Sequence, residues 1–349
     1  MPEYVTERFQ GSYEEVAPLL APDVEVERTV RDLEWKCARG PHGPGDIWVI
    51  RAGTEIAAMV SMYRRNILLG SRVVPGCQNA DLIVNPNHRR KGLAVRVLQD
   101  CFADAARVGY QVAYGFPNVI STPAQRHAGG WTELGTMQLA VHRPNALHSA
   151  ARRAVARVPG AAGRAVGQIV DLGLASRKLP PRQVGEFDVN DDATTADEYG
   201  PFWSRIVTNG GYLPVRDFMW HRWRFFDKPD YRCKLLYARA GGVLRGYVAI
   251  RFTRFESGME GAAIVDVLAT DSAAEHALLA SAPAHAAHAR AVELTFTRIG
   301  KVAPTLPYPS VEQDTGAITF VRALQPEAVG SLMPPLPEWR FTSADSDVT

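Results

Sequence analysis

The strongest constraint on this chain is that it repeats itself. Trp35-Lys36 is followed by a turn and by Ile47-Trp48-Val49-Ile50-Arg51-Ala52-Gly53, with Val60 seven residues further on. Trp223-Arg224 is followed by Leu235-Leu236-Tyr237-Ala238-Arg239-Ala240-Gly241 and then by Val248, every position displaced by 188. Each copy reads as strand, tight turn at glycine, strand, which is a hairpin pattern. Asp81-Leu82-Ile83-Val84 then matches Asp266-Val267-Leu268-Ala269 at a displacement of 185, as a small loop difference would give. Trp, Arg-Ala-Gly and Asp in the same order twice mark a duplicated unit. The 349 residues are accordingly divided into a first domain over 1–142, a basic Ala/Arg-rich helical linker over 143–190, a second domain over 191–330 and an irregular tail over 331–349.

Composition removes several function classes. The net charge of +2 is too small to argue for nucleic acid as a partner. In the linker, Arg152, Arg153, Arg157 and Arg164 form a basic face broken at Pro159, read as one or two solvated helices packed between the domains. The four cysteines, Cys37, Cys77, Cys101 and Cys233, are too far apart for a CxxC pair, and the histidines include no HExxH, so no metal is expected. MPEYVTERFQ has no apolar signal region, and no apolar run approaches membrane-spanning length. The expectation is a cytoplasmic protein with reduced thiols.

One segment carries chemistry. Ala80–Val84 is a short apolar strand, Asn85-Pro86-Asn87-His88 a turn, and Arg89-Arg90-Lys91-Gly92-Leu93-Ala94 a basic loop. A helix follows, with Val95, Leu98, Phe102 and Ala105-Ala106 on one face and Gly109 placed to end it. A helix N-terminus offers unpaired amides and a partial positive charge, which suits an anion. Gly92 lets backbone approach a phosphate closely, and the three basic side chains add charge. Neither GxxxxGK[ST] nor GxGxxG is present, so this is neither a P-loop nor a dinucleotide fold.

VNPNHRRKGLAVRVL resembles motif A of the GNAT acyltransferases, with Arg89, Gly92 and Ala94 in the [RQ]-x-x-G-x-[GA] positions and Val84 and Pro86 in the preceding turn. GYQVAYGFPN and AGGWTELGTM are similar to the segments that follow it, so the resemblance covers about 30–142. It implies an α/β (α+β) fold of two GNAT-like domains, each with a mixed, splayed central sheet flanked by helices. It also implies acetyl-CoA or another acyl-CoA as co-substrate. The pyrophosphate would lie on Arg89–Ala94, the pantetheine beside the backbone of Ile83 and Val84, and Asn118 near CoA or acceptor. An amine would attack the thioester directly, with Asp81 as base. The family's usual thiolate acid is a Tyr five residues before the aromatic of the GGW turn; here Arg126 stands there, so either His127 beside it or a water serves instead, or the activity differs.

The second copy lacks the loop, and Glu275 is expected to repel phosphate. It resembles a degenerate GNAT domain that walls the acceptor site. Trp35, Trp220, Trp223 and Arg224 are candidates for holding the acceptor, a small-molecule amine such as an amino sugar or natural-product intermediate. Trp339, Asp345 and Asp347 are weaker candidates in a tail expected to fray. The Trp-Lys/Arg pairs resemble those of a bacterial tandem group associated with sugar or natural-product N-acylation, and this chain is expected to be a monomer or homodimer. The alternatives are aminoacyl transfer of the FemABX kind, or a non-catalytic module that binds CoA or a small molecule.

Overall fold

A computed structural model describes residues 3–20, 29–158, 160–174, 180–229, 231–299, 306–333 and 338–346. In chain order these form β1 (Tyr4–Arg8), α1 (Tyr13–Leu20), α2 (Val30–Leu33) running into a π turn (Glu34–Ala38), β2 (Asp46–Ala52), β3 (Glu55–Arg64), β4 (Ile67–Gly70), β5 (Arg72–Val74) and β6 (Gly76–Val84). Next come α3 (Leu93–Arg107), β7 (Val112–Gly115), α4 (Thr122–Ala128), β8 (Thr132–His142), α5 (Ala146–Val155) and α6 (Gly160–Leu174). The second half holds β9 (Gln183–Val184), β10 (Phe187–Asn190), α7 (Ala196–Asn209), β11 (Gly211–Pro214), α8 (Phe218–Phe225), β12 (Cys233–Ala240), β13 (Val243–Arg254), β14 (Glu260–Ala269), α9 (Ser272–His288), β15 (Ala291–Ile299), β16 (Val311–Ala323) and α10 (Pro326–Val329).

The two hairpins of the repeat are β2–β3 and β12–β13. Their turns need a left-handed residue, supplied by Gly53 (φ 66°) and Gly241 (φ 56°). Each hairpin slips register at the same place, before Arg51 and before Arg239. Each arginine then pairs with a glutamate of an earlier helix, Glu15 on α1 and Glu198 on α7.

Thirteen strands form one sheet in the order β1-β2-β3-β6-β7-β16-β8-β15-β14-β13-β12-β10-β9. Read inward from either side, the order is one edge strand (β1) or two (β9 and β10), then hairpin, motif strand, parallel partner, and a closing strand from the other half. β8 leaves the first half to pair with β15, and β16 returns from the second half to pair with β7. The two closing strands pair with each other at the centre. A cut at 142 or 191 therefore divides the chain without dividing the sheet, and the 143–190 segment supplies β10 to the second half's edge. A smaller sheet, β11-β4-β5, also joins the halves.

Each parallel pair encloses a crossover helix, as parallel strands require. α3 lays Leu93, Val97, Leu98, Cys101, Phe102 and Ala105 on the sheet of the first half. α9 does the same in the second half with Ala274, Leu278, Ala282 and Ala286.

At the junction, Trp35 and Trp223 stack with centroids 4.1 Å apart and planes 6° apart. Each indole N–H donates to the other's backbone carbonyl, at 3.1 and 3.0 Å. Residues equivalent in the repeat thus meet each other across a pseudo-twofold axis. This corrects the assignment of the Trp cluster to the acceptor. Trp35, Trp223, Trp220 and Arg224 are each less than 5% exposed, so no substrate reaches them. Four large side chains buried at a junction contribute packing.

The tail also departs from expectation. Trp339, Phe341 and Asp345 are buried. Asp345 lies 2.5 Å from Arg216, which reaches Asp266 at 3.1 Å. A buried guanidinium between two carboxylates holds the tail in place, since removing one partner would leave an uncompensated charge. Burial pushes the Asp345 carboxyl up to about 6, against the pull of Arg216. Asp347 and Pro159 lie outside the described residues.

Candidate functional site

The site is built where β6 and β7 part. They pair in parallel from Gly76↔Val112 to Asn79↔Gly115, and no further. β6 continues to Val84 along β3, while the chain after Gly115 turns away into Phe116–Asn118. The edge of β6 facing the fork, including Ile83 and Val84, has no strand partner there. At the fork's base Gln125 Nε2 of α4 donates to the buried Asn79 Oδ1 at 2.5 Å, which ties α4 to β6.

Asp81 sits at a bulge opposite β3, with φ of 50°. A non-glycine residue in the left-handed region is uncommon, and Asp tolerates it better than most. The bulge re-aims the side chain. Its carboxylate accepts a hydrogen bond from the Tyr63 hydroxyl of β3 and remains partly exposed. Tyr63 itself is fully buried, with the Lys36 ammonium 5.4 Å from its ring centre. Sequence reading missed Tyr63; its signal was two-residue alternation with Ser61 on a strand facing β6.

The basic loop is a preformed cradle. Asn85 Oδ1 accepts from the Asn87 amide at 3.1 Å, and Pro86–His88 makes one 3-10 turn. His88, another residue missed in the sequence, anchors that turn: it is 7% exposed and bonded at 3.0 Å to both Tyr4 and Glu55. Arg90 (φ 62°) and Gly92 (φ 75°) then reverse the backbone twice. Arg89, Arg90 and Lys91 are exposed, Lys91 donating to the Tyr4 hydroxyl at 2.9 Å. Val84, Arg89, Arg90, Gly92, Leu93, Ala94 and Val95 line a depression of about 140 Å³.

No side chain caps α3 at Gly92, so its first-turn amides face this depression. A Cβ on Gly92 would meet nothing within 4 Å. The matching helix in the second half is closed. Asp271 Oδ1 accepts from the Ala274 amide at 2.9 Å, so a carboxylate occupies the place an anion would take. Glu275, expected to do the repelling, instead pairs with Arg340 of the tail. Asp266, the repeat equivalent of Asp81, is fully buried between Tyr247, Thr342 and Arg216. Both features that are open in the first half are filled in the second.

Two candidates fall outside this constellation. His127 is exposed on α4, its Nδ1 donating to its own helix's Pro123 carbonyl at 2.7 Å. Asn118 spends its side-chain oxygen on the Ser121 amide, at 2.9 Å, and so builds the turn into α4. The tail adds a wall that sequence reading did not anticipate. Phe341 packs on Tyr114 and Phe116, at 5.2 and 5.7 Å, where β7 leaves the fork.

Residues 12–139 match the family model of an acetyltransferase (GNAT) domain. Solved structures share the architecture over nearly the whole chain. A GCN5-related N-acetyltransferase from Anabaena variabilis is 12% identical with a TM-score of 0.62, over 93% of this chain and 73% of that one. A protein from Enterococcus faecalis described as a probable N-acyltransferase is 10% identical with a TM-score of 0.61, over 94% and 74%. Eis1 from Mycobacterium abscessus is 17% identical with a TM-score of 0.54, over 95% and 76%. No curated protein matches the sequence.

Proposed function

We propose, from the match of residues 12–139 to the model of an acetyltransferase (GNAT) domain, that this chain transfers an acyl group from acyl-CoA to a primary amine of a small molecule. The observation that carries the proposal is the uncapped α3 N-terminus opening on a basic depression beside a forked sheet. The diphosphate of CoA lies on the amides of Gly92–Ala94 with Arg89, Arg90 and Lys91 around it. The pantetheine follows the free edge of β6 at Ile83 and Val84, which brings the thioester towards Asp81.

The amine nitrogen attacks the thioester carbonyl, the C–S bond breaks, and the products are an amide and CoA thiol. Asp81 accepts the amine proton, directly or through water, with Tyr63 fixing its carboxylate. Water protonates the thiolate; His127, turned onto its own helix, takes no part. An amino sugar or natural-product amine remains the acceptor class we favour. Acetyl-CoA is the donor we favour. A compartment holding acyl-CoA and reduced thiols fits the four free cysteines, which points to the cytoplasm.

The test is thiol release from a series of acyl-CoAs with a panel of amines. Asp81→Asn should lower kcat by about 10²–10⁴-fold with CoA affinity kept. An Asp81→Asn variant with full kcat would exclude Asp81 as the base. Absence of thiol release with every amine, despite CoA binding, would favour a non-catalytic CoA-binding module.

A further inference from the structure

The helical hairpin between the halves is built inside out. α6 turns its glycines inward: a Cβ on Gly163 would lie 2.0 Å from the Val158 carbonyl oxygen, and one on Gly167 would lie 1.7 Å from Arg152. At Gly163 the neighbour is backbone of the turn after α5, which only glycine tolerates; at Gly167 it is the end of the Arg152 side chain reaching over from α5. Asp171 closes the contact by pairing with His148 at 2.9 Å and Arg152 at 3.1 Å.

The outer face of α6 is then apolar where a solvated helix would be polar. Ala162, Ala165, Val166, Ile169 and Leu172 recur at helical spacing, and all are exposed. Val166 is 44% exposed, Ile169 67% and Leu172 60%, with Leu147 (66%) and Val158 (47%) on the same hairpin. These are five of the fifteen large apolar side chains exposed among the described residues, gathered in one short segment. The clustering distinguishes this face from the scattered exposure normal for a protein surface.

The charge around it is one-sided. Residues 143–182 contain seven arginines and one lysine against Asp171 alone, a net of +7 in a chain whose total is +2. Arg152 and Arg153 are held by Asp171 and Glu293 and Arg182 by Asp188 and Asp192, Arg177 and Lys178 lie outside the described residues, and Arg157 and Arg164 are exposed. A second copy of this hairpin would bring like charges together, which disfavours self-association here. Nucleic acid would meet the arginines and leave the apolar residues in water.

We propose that the α5–α6 hairpin docks on an anionic lipid bilayer, α6 lying in the interface with Val166, Ile169 and Leu172 inserted and Arg157 and Arg164 among the headgroups. This inference stands independently of the proposed acyl transfer.

The experiment is co-sedimentation of the full chain with vesicles of phosphatidylcholine, with and without phosphatidylglycerol. The expected result is binding to the anionic vesicles alone, weakened by salt. Val166→Glu with Ile169→Glu should abolish it, and Arg157→Glu with Arg164→Glu should weaken it about tenfold or more. Circular dichroism and thermal melting report whether each variant remains folded. Failure to bind anionic vesicles, equal binding to both kinds, or binding unaltered in both folded variants would overturn the proposal. So would light scattering that shows a dimer dispersed by the Val166/Ile169 change, since a second copy would then cover the face. Binding to RNA in preference to vesicles would overturn it too.

Discussion

Gly92 allows charge and crowding to be separated at the candidate diphosphate site. Its φ of 75° makes any side chain there cost roughly 1–2 kcal/mol of stability through the left-handed backbone. That cost is common to Gly92→Glu and Gly92→Arg, since a Cβ at this position has open space around it. The two variants differ in the sign placed beside the α3 N-terminus. Unit charges about 4 Å apart interact by about 4 kcal/mol at an effective dielectric of 20 and by about 1 in bulk water. The depression is lined in part by exposed residues, so the Glu penalty against a diphosphate is about 1–3 kcal/mol, or roughly ten- to hundredfold in affinity. Isothermal titration with CoA should therefore show severe weakening in Gly92→Glu and near-normal or tighter binding in Gly92→Arg. Thermal melts should show the same loss in both. Equal CoA affinity in the two folded variants would refute the electrostatic argument, and wild-type affinity in both would move the diphosphate to another site.

Two further outcomes test the scaffold. Trp35→Ala should lower stability by about 3–5 kcal/mol in a denaturant titration, because it removes a buried ring and leaves its stacked partner's cavity unfilled; a near-neutral change would show that the pseudo-twofold junction is loosely packed. Burial raises Asp345 from 3.8 to about 6, so the folded state holds its proton more tightly and stability contributed by this group falls as pH rises from about 4 to about 6. Asp345→Asn should flatten that part of the stability–pH profile, and an unchanged slope would remove Asp345 as its source.

Local features were legible in the chain and distant partners were not. The Gly53 and Gly241 turns, the strand into Asn85, the basic loop and the α3 helix all follow from residues adjacent in sequence. The exchange of β8 and β16 does not, because alternation tells a strand which face is buried and nothing about which neighbour it takes. Trp220–Arg224 looked like a binding surface because aromatic and basic residues serve both packing and recognition; a junction formed by residue 35 decided between them. The tail looked frayed for a similar reason. SADSD is polar, and its order depends on Arg216, more than a hundred residues away. Asp81 was readable as a position, while the bulge and Tyr63 that aim it depend on the pairing of β3 with β6.

The traded closing strands bind the fates of the two halves. Truncating the chain after β8 would strip β7 of its neighbour β16 and leave β8 without either of the strands it pairs with. The half whose crossover helix is plugged by Asp271 is therefore indispensable to a site it does not line with that helix. Without it, β7 would keep β6 on one side and expose its other edge to water, so the wall of the fork would rest on a single neighbour.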